Sequence, residues 1–523
     1  MWGNSKAAIT EGSRLTPSPS SIAQTALQRH VGLIAFALMA LGTAFRLSHY
    51  AHQRALWLDE AMLALNVMDR DYAGLVGTLD SHQGAPIGFL WISKFAVNAL
   101  GRNELALRLY PLLAGVAVLP LTFAVARRVA ARVANHGTAL VALAIVALSP
   151  ALIYQSNEFK QYSSDALVTL VLILTALRIG DDPLRLKNLS ALALVGVLAL
   201  LLSHTTVFAA AGVGVAMITT RARAKNGREI LLLSTVFGIW ALAFAFLFVK
   251  FLRPLSVDPL LNDYWAFGFA PWGSGFAPGA TGIFALVRWP YDAFFDSLRS
   301  PGGFEFPGLA GAFALVGCIA FGYRDWRKGL FIALPVVAVA GAAAARIYPF
   351  ADRVILFVVP LYAVMISVGV FFLCEGLGRA RVPVVAMLLA LLLLDSAQLE
   401  VRKALRPRGR EEVREAMQFL AHEVQSGDLV FVYERTAPAF VYYRSVLPAS
   451  LRIVLGRVYS SAETPDAFAA EVARLDGNAR AWLLFSHAAK NESDFVTAFQ
   501  ARGKRIQERH FEGASVYLYD LSQ

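Results

Sequence analysis

The chain has 523 residues, 57% of them hydrophobic and only 16% charged, with a mean hydropathy of +0.54. Soluble domains carry about 25% charged residues, so an ordinary soluble fold is excluded and a polytopic membrane protein is expected. The net charge of +11 gathers in short loops between apolar runs, which makes it a topology signal and not a nucleic-acid footprint.

Residues 1–30 are rich in Ser, Thr and Pro, lack the apolar core of a signal peptide, and read as a disordered cytoplasmic tail. Apolar runs approaching the ~20 residues of a spanning helix then fall near 31–47, 104–126, 137–154, 163–179, 188–203, 205–220, 230–250, 308–322, 329–345, 354–373 and 382–399. With the N-terminus inside, "ARRVAARVANHG", "RIGDDPLRLKN", "TRARAKNGRE", "YRDWRKG" and "GLGRAR" all become cytoplasmic, and all are basic. This alternation predicts eleven helices and an outer C-terminus. Cys318 and Cys374 form no disulfide framework.

Two predicted outer loops, near 48–103 and 251–307, are too long to be simple connectors. In the first, "LWLDEAMLALNVMDRDYAGLV" and "IGFLWISKFAVNAL" fit amphipathic helices resting on the membrane surface, separated by the turn "HQGAP". The second, with "DYWAFGFAPWGSGFAPGATG", has the aromatic density of an interfacial lid or groove. Past about residue 400, a polar helix in "RPRGREEVREAMQFLAHEVQSG" precedes the short runs "DLVFVY", "LRIVL", "RAWLLFSH" and "SVYLYDL", with helical stretches near 436–443, 465–475 and 491–502 between them. That alternation predicts a small α/β domain over 401–523, outside the membrane, following a membrane domain over 31–400.

Three constellations carry candidate chemistry. In "ALWLDEAMLALN", Asp59 and Glu60 stand inside an apolar run. They are either solvated acids at a helix start or a partly desolvated carboxylate suited to act as a base. "YQSNEFKQYSSDAL" places Glu158, Lys160, Tyr162 and Asp165 at one outer helix end. An acid inside a spanning helix costs about 2.5–3.5 kcal/mol and tends to mark a site; the bland alternative is a Lys160–Asp165 pair at the water line. "ARIYPFADRVILF" offers Arg346 and Arg353 around Tyr348, and arginine forks suit phosphate. His82 in "HQGAP" and His204 between two helices are supporting candidates. No metal motif is present in the sequence pattern.

Taken together, "LWLDEAMLALNV", "HQGAPIGFLWISK", "RLYPLLAG", "SPALIYQSNEFKQYSSD" and "YPFADR" resemble the GT-C membrane glycosyltransferases. The resemblance covers roughly 30–400. It is to the bacterial branch of protein O-mannosyltransferase-like, aminoarabinose-transferase-like and lipopolysaccharide-core galacturonosyltransferase-like proteins. It implies a catalytic carboxylate at Asp59 with Glu60 beside it, a sugar donor on a polyprenyl monophosphate, and a helical bundle with two interfacial helices in the first outer loop. The tail beyond about 400 departs from what most members share.

The residue types fit that chemistry independently. Sugar transfer from a lipid phosphate needs a base for the acceptor hydroxyl, cations for the charge growing on the leaving phosphate, and an apolar groove. Asp59 is the candidate base, and Arg353, Arg346 and Lys160 are the candidate phosphate ligands. No cofactor is expected. The expected partners are the lipid-linked donor, a glycan, lipid or protein acceptor, and membrane lipids. The expected location is a bacterial inner membrane with the site on its periplasmic side. The rival readings are a lipid-linked-sugar transporter, which predicts polar breaks at the bilayer midplane, and a non-enzymatic sensor in which the α/β domain does the work.

Overall fold

The computed structural model describes residues 19–130, 137–180, 184–223, 225–271, 280–407, 409–457, 465–475, 479–488 and 491–522. Helix α1 (Pro19–Ala51) starts well before the expected boundary at 31, so part of the stretch read as tail is helical; residues 1–18 lie outside the described residues. In the first long loop follow α2 (Leu58–Asp69) and α3 (Ile87–Leu100), then α4 (Glu104–Ala130). The next predicted span divides into α5 (Gly137–Leu148) and α6 (Pro150–Gln155). Pro150 takes the first helical position of α6 behind the cap Ser149, a site where its missing N–H costs nothing. Helices α7 (Tyr162–Gly180), α8 (Leu186–Leu202), α9 (Thr206–Arg223) and α10 (Gly227–Leu247) complete the first half.

The second long loop contains α11 (Arg253–Ser256), α12 (Pro259–Tyr264) and α13 (Ala280–Arg299). Part of its predicted aromatic lid, 272–279, lies outside the described residues. Then come α14 (Pro307–Arg324), α15 (Trp326–Ala344), α16 (Val359–Leu373), entered through a 3-10 segment at Asp352–Val358, and α17 (Arg381–Leu405). Each of the eleven apolar runs is therefore helical. Among the described residues, eight helices are long and apolar enough to cross a membrane, and α5 and α8 are shorter apolar helices. The protein is an integral membrane protein with α16 at its centre, buried along almost its whole length. Glycine makes that packing possible: a Cβ on Gly369 would fall 1.9 Å from the Phe313 carbonyl oxygen, so α14 and α16 meet backbone to backbone.

Beyond α17, α18 (Val413–Glu423), α19 (Ala437–Tyr443), α20 (Pro465–Ala473) and α21 (Asn491–Gln500) surround a five-stranded sheet of order β2-β1-β3-β5-β4. Its strands are β1 (Leu429–Val432), β2 (Arg452–Leu455), β3 (Arg480–Ser486), β4 (Lys504–Phe511) and β5 (Ala514–Asp520). The first three run parallel, while β5 is antiparallel to both β3 and β4. Four strands coincide with the predicted runs. The missed one, β4, reads KRIQERHF and is mostly exposed; a charged edge strand has no apolar alternation to betray it.

One apolar cluster runs from Leu56, Leu63 and Val67 through Phe440 and Tyr443 to Met417 and Trp482. The α/β domain is thus seated on the first loop, with α19 packed on α2. This corrects the expectation for α2: Leu63 and Val67 are fully buried beneath the domain instead of facing lipid. Helix α3 keeps the expected exposed apolar face, with Trp91, Ile92 and Phe95.

Candidate active site

Asp59 is the second residue of α2. Its Oδ2 accepts a hydrogen bond from a terminal nitrogen of Arg353 at 2.8 Å, with the carboxylate 26% and the guanidinium 12% exposed. Arg353 is presented by a sharp turn at Asp352, which has φ +45° and accepts from the Ser300 hydroxyl at 2.9 Å. Its guanidinium also lies against the Tyr162 phenol, 3.5 Å from the Tyr264 hydroxyl, and over the rings of Trp57 and Trp265 at 5.4 and 5.6 Å. Lys160 is buried beside this pair and donates to Gln83 Oε1 at 2.7 Å. Burial pushes the Lys160 ammonium below the ordinary lysine range, opposed by the charge of Asp59. Asp59, Arg353, Lys160 and Tyr162 therefore form one group.

Glu60 points the other way. It is fully buried and forms a two-point pair with Arg108, at 2.8 and 2.6 Å, while the Phe159 N–H donates to it at 2.6 Å. Burial opposes its ionisation, but Arg108 outweighs burial and holds the carboxyl below the usual range. Its oxygens are thus engaged by Arg108 and the Phe159 N–H, away from Asp59 and Arg353. Glu158 belongs to the same network. It accepts from Arg54 at 2.6 Å and from the Trp57 indole; burial first, and then Glu60, push it above the usual carboxylate range.

The alternative Lys160–Asp165 pair does not form. Asp165 instead faces the hydroxyls of Ser203 and Thr205, at the turn between α8 and α9. Tyr348 donates to the Val354 carbonyl at 3.0 Å and packs on Phe208, behind the Arg353 segment. Arg346 is not brought to Asp59: it turns to the Ala270 carbonyl at 3.3 Å and to the ring of Phe269. His82 pairs with Asp258 at 2.6 Å. His204 lines a groove with Gln83, Leu75, Leu90, Phe251 and Leu255, and burial pushes its imidazole down to about 4. Among the described residues, no three His, Cys, Asp or Glu side chains are grouped to hold a metal.

Sequence reasoning missed Trp57, Arg54, Arg108 and Gln83 as parts of this site. Only Arg108 carried a signal: an arginine within a predicted span is costly unless paired.

The bundle, the first-loop helices and the C-terminal sheet together define a polytopic helical membrane protein with a small C-terminal α/β domain. Its fold is similar to that of ArnT from Cupriavidus metallidurans in the apo state, at 14% identity and a TM-score of 0.51 over 95% of this chain and 98% of that one. ArnT from the same organism bound to undecaprenyl phosphate matches with 13% identity and a TM-score of 0.49 over 94% and 98% of the two chains. The Archaeoglobus fulgidus oligosaccharyltransferase in complex with Zn and sulfate matches with 11% identity and a TM-score of 0.48, over 90% of this chain and 71% of that one. No family model and no curated protein matches the sequence.

Proposed function

We propose that the chain is a glycosyltransferase that moves a sugar from a polyprenyl-phosphate donor to an acceptor hydroxyl on the outer face of a bacterial inner membrane. The observation that carries this reading is the Asp59–Arg353 pair, a partly exposed carboxylate held against a cation. The resemblance of the surrounding motifs supports it; a shared fold by itself does not imply a reaction. Asp59 takes the proton of the acceptor hydroxyl as its oxygen bonds to the anomeric carbon. The bond from that carbon to the phosphate oxygen breaks, and its electron pair leaves on the phosphate. Arg353 and Lys160 meet the growing charge, and a single in-line displacement inverts the anomeric centre. The groove lined by Leu75, Leu90, Phe251 and Leu255 offers apolar surface to the lipid. The carboxylate and its cations stand at helix ends and not in a broken midplane helix, which favours surface chemistry over transport.

Purified protein is expected to transfer sugar from a polyprenyl-phosphate donor and not from a soluble nucleotide sugar. Transfer from the nucleotide sugar with no lipid phosphate present would overturn both donor and sidedness. Arg353→Ala is expected to raise the donor KM by roughly 10–100-fold, the worth of a hydrogen bond to a charged group, while changing the acceptor KM far less. An unchanged donor KM moves the phosphate contact to Lys160.

For the topology we propose eleven crossings. Reporter fusions at Asn226 and Arg379 are expected to read cytoplasmic, and fusions at Gly84 and Gly427 the opposite side. A cytoplasmic reading at Gly427 contradicts this topology.

A further inference from the structure

Helix α2 carries Asp59 at its second position, yet its own N-cap residue, Trp57, supplies no capping side chain. The first N–H groups of any helix lack partners within it. Here the Leu58 N–H donates to Glu411 Oε2 at 3.2 Å, and the Leu56 N–H donates to the Tyr443 hydroxyl at 2.9 Å. Between them, the Trp57 ring lies 3.6 Å from the Arg410 guanidinium and stacks on His487 with centroids 6.3 Å apart. Glu411 is buried and braced by His487, whose Nδ1 is 2.7 Å from Oε1. All four partners come from the α/β domain or the tether that leads into it.

The tether is itself fixed. The Glu412 N–H donates to the Glu512 carbonyl at 2.8 Å. Gly513, at φ +62°, lets the β4–β5 turn approach so closely that a Cβ there would fall 2.2 Å from the Arg410 carbonyl oxygen.

We propose that the C-terminal domain is a positioning element for the transfer reaction. Glu411 caps α2 from more than three hundred residues away, where a carboxylate also suits the helix dipole. Arg410 and His487 hold Trp57, the ring that Arg353 also overlies. Together they set the separation of Asp59 from Arg353. The effect on rate rests on the glycosyltransferase reading; the capping contact does not.

The test uses the full chain in detergent, with kinetics and amide hydrogen exchange over residues 56–62 measured side by side. Glu411→Ala is expected to lower kcat about tenfold or more through misplacement of the carboxylate, to leave the donor KM within about twofold, and to raise exchange at 56–62. Glu411→Gln keeps an acceptor oxygen for Leu58 and is expected to restore most of both losses. A Glu411→Ala protein with unchanged kcat, or with exchange at 56–62 unaltered, overturns the proposal, as does a raised donor KM at constant kcat. Asp59→Asn separates the two readings: it is expected to lose transfer while keeping normal exchange at 56–62. Full transfer by Asp59→Asn overturns the base assignment, and the exchange in Glu411→Ala then decides the capping contact alone.

Discussion

Replacing Asp59 with Asn is expected to lower kcat by roughly a hundred- to ten-thousand-fold, the range of a lost general base. Expression and donor affinity should change little. The substitution keeps the size of the side chain and an oxygen that can still accept from Arg353, so the 2.8 Å contact survives while the proton acceptor is gone. Single-turnover transfer with a radiolabelled polyprenyl-phosphate sugar measures this directly. Turnover within a few-fold of the unsubstituted protein is incompatible with Asp59 as the base.

The largest loss of stability is expected from Arg108→Ala, which leaves the fully buried Glu60 without its partner. Breaking a buried pair from one side costs about 3–5 kcal/mol. Thermal unfolding in detergent should show a marked fall in Tm for Arg108→Ala, with much of it recovered in the double variant Arg108→Met, Glu60→Leu, which removes both charges. An unchanged Tm in the single variant refutes the structural role given to the pair. The sign of the pH dependence follows from the lowered carboxyl of Glu60. The stabilisation it contributes is complete above the ordinary carboxylate range and is lost only as pH falls through its lowered value.

Much of the fold was legible because a membrane imposes a simple rule. Backbone polar groups must be satisfied within the segment, so apolar runs become helices, and all eleven runs did. The candidate site was legible where an unusual residue interrupts or borders an apolar stretch, as at Asp59 and Arg353. It was not legible where residues far apart converge. Glu60 and Asp59 are adjacent and look equivalent, yet the helix turns one toward Arg353 and the other toward Arg108. Lys160 and Asp165 are five positions apart and look like a pair, but Gln83 takes the amine and the Ser203–Thr205 turn takes the acid. The contacts of Trp57 with Arg410 and His487 have no local signature at all, since nothing in either segment names the other.

The seating of the α/β domain on the first long loop also has a consequence in time. Tyr443, which accepts from the Leu56 N–H, stands 387 positions further along the chain, and His487 emerges later still. During synthesis, which proceeds from the N-terminus at about 5–20 residues per second, the loop bearing Asp59 exists long before its partners do. A nascent or truncated chain therefore holds the carboxylate without its cap, and long-range closures of this kind form late in folding. The surroundings of α2 are complete only once Glu411, Tyr443 and His487 have been made and seated on it.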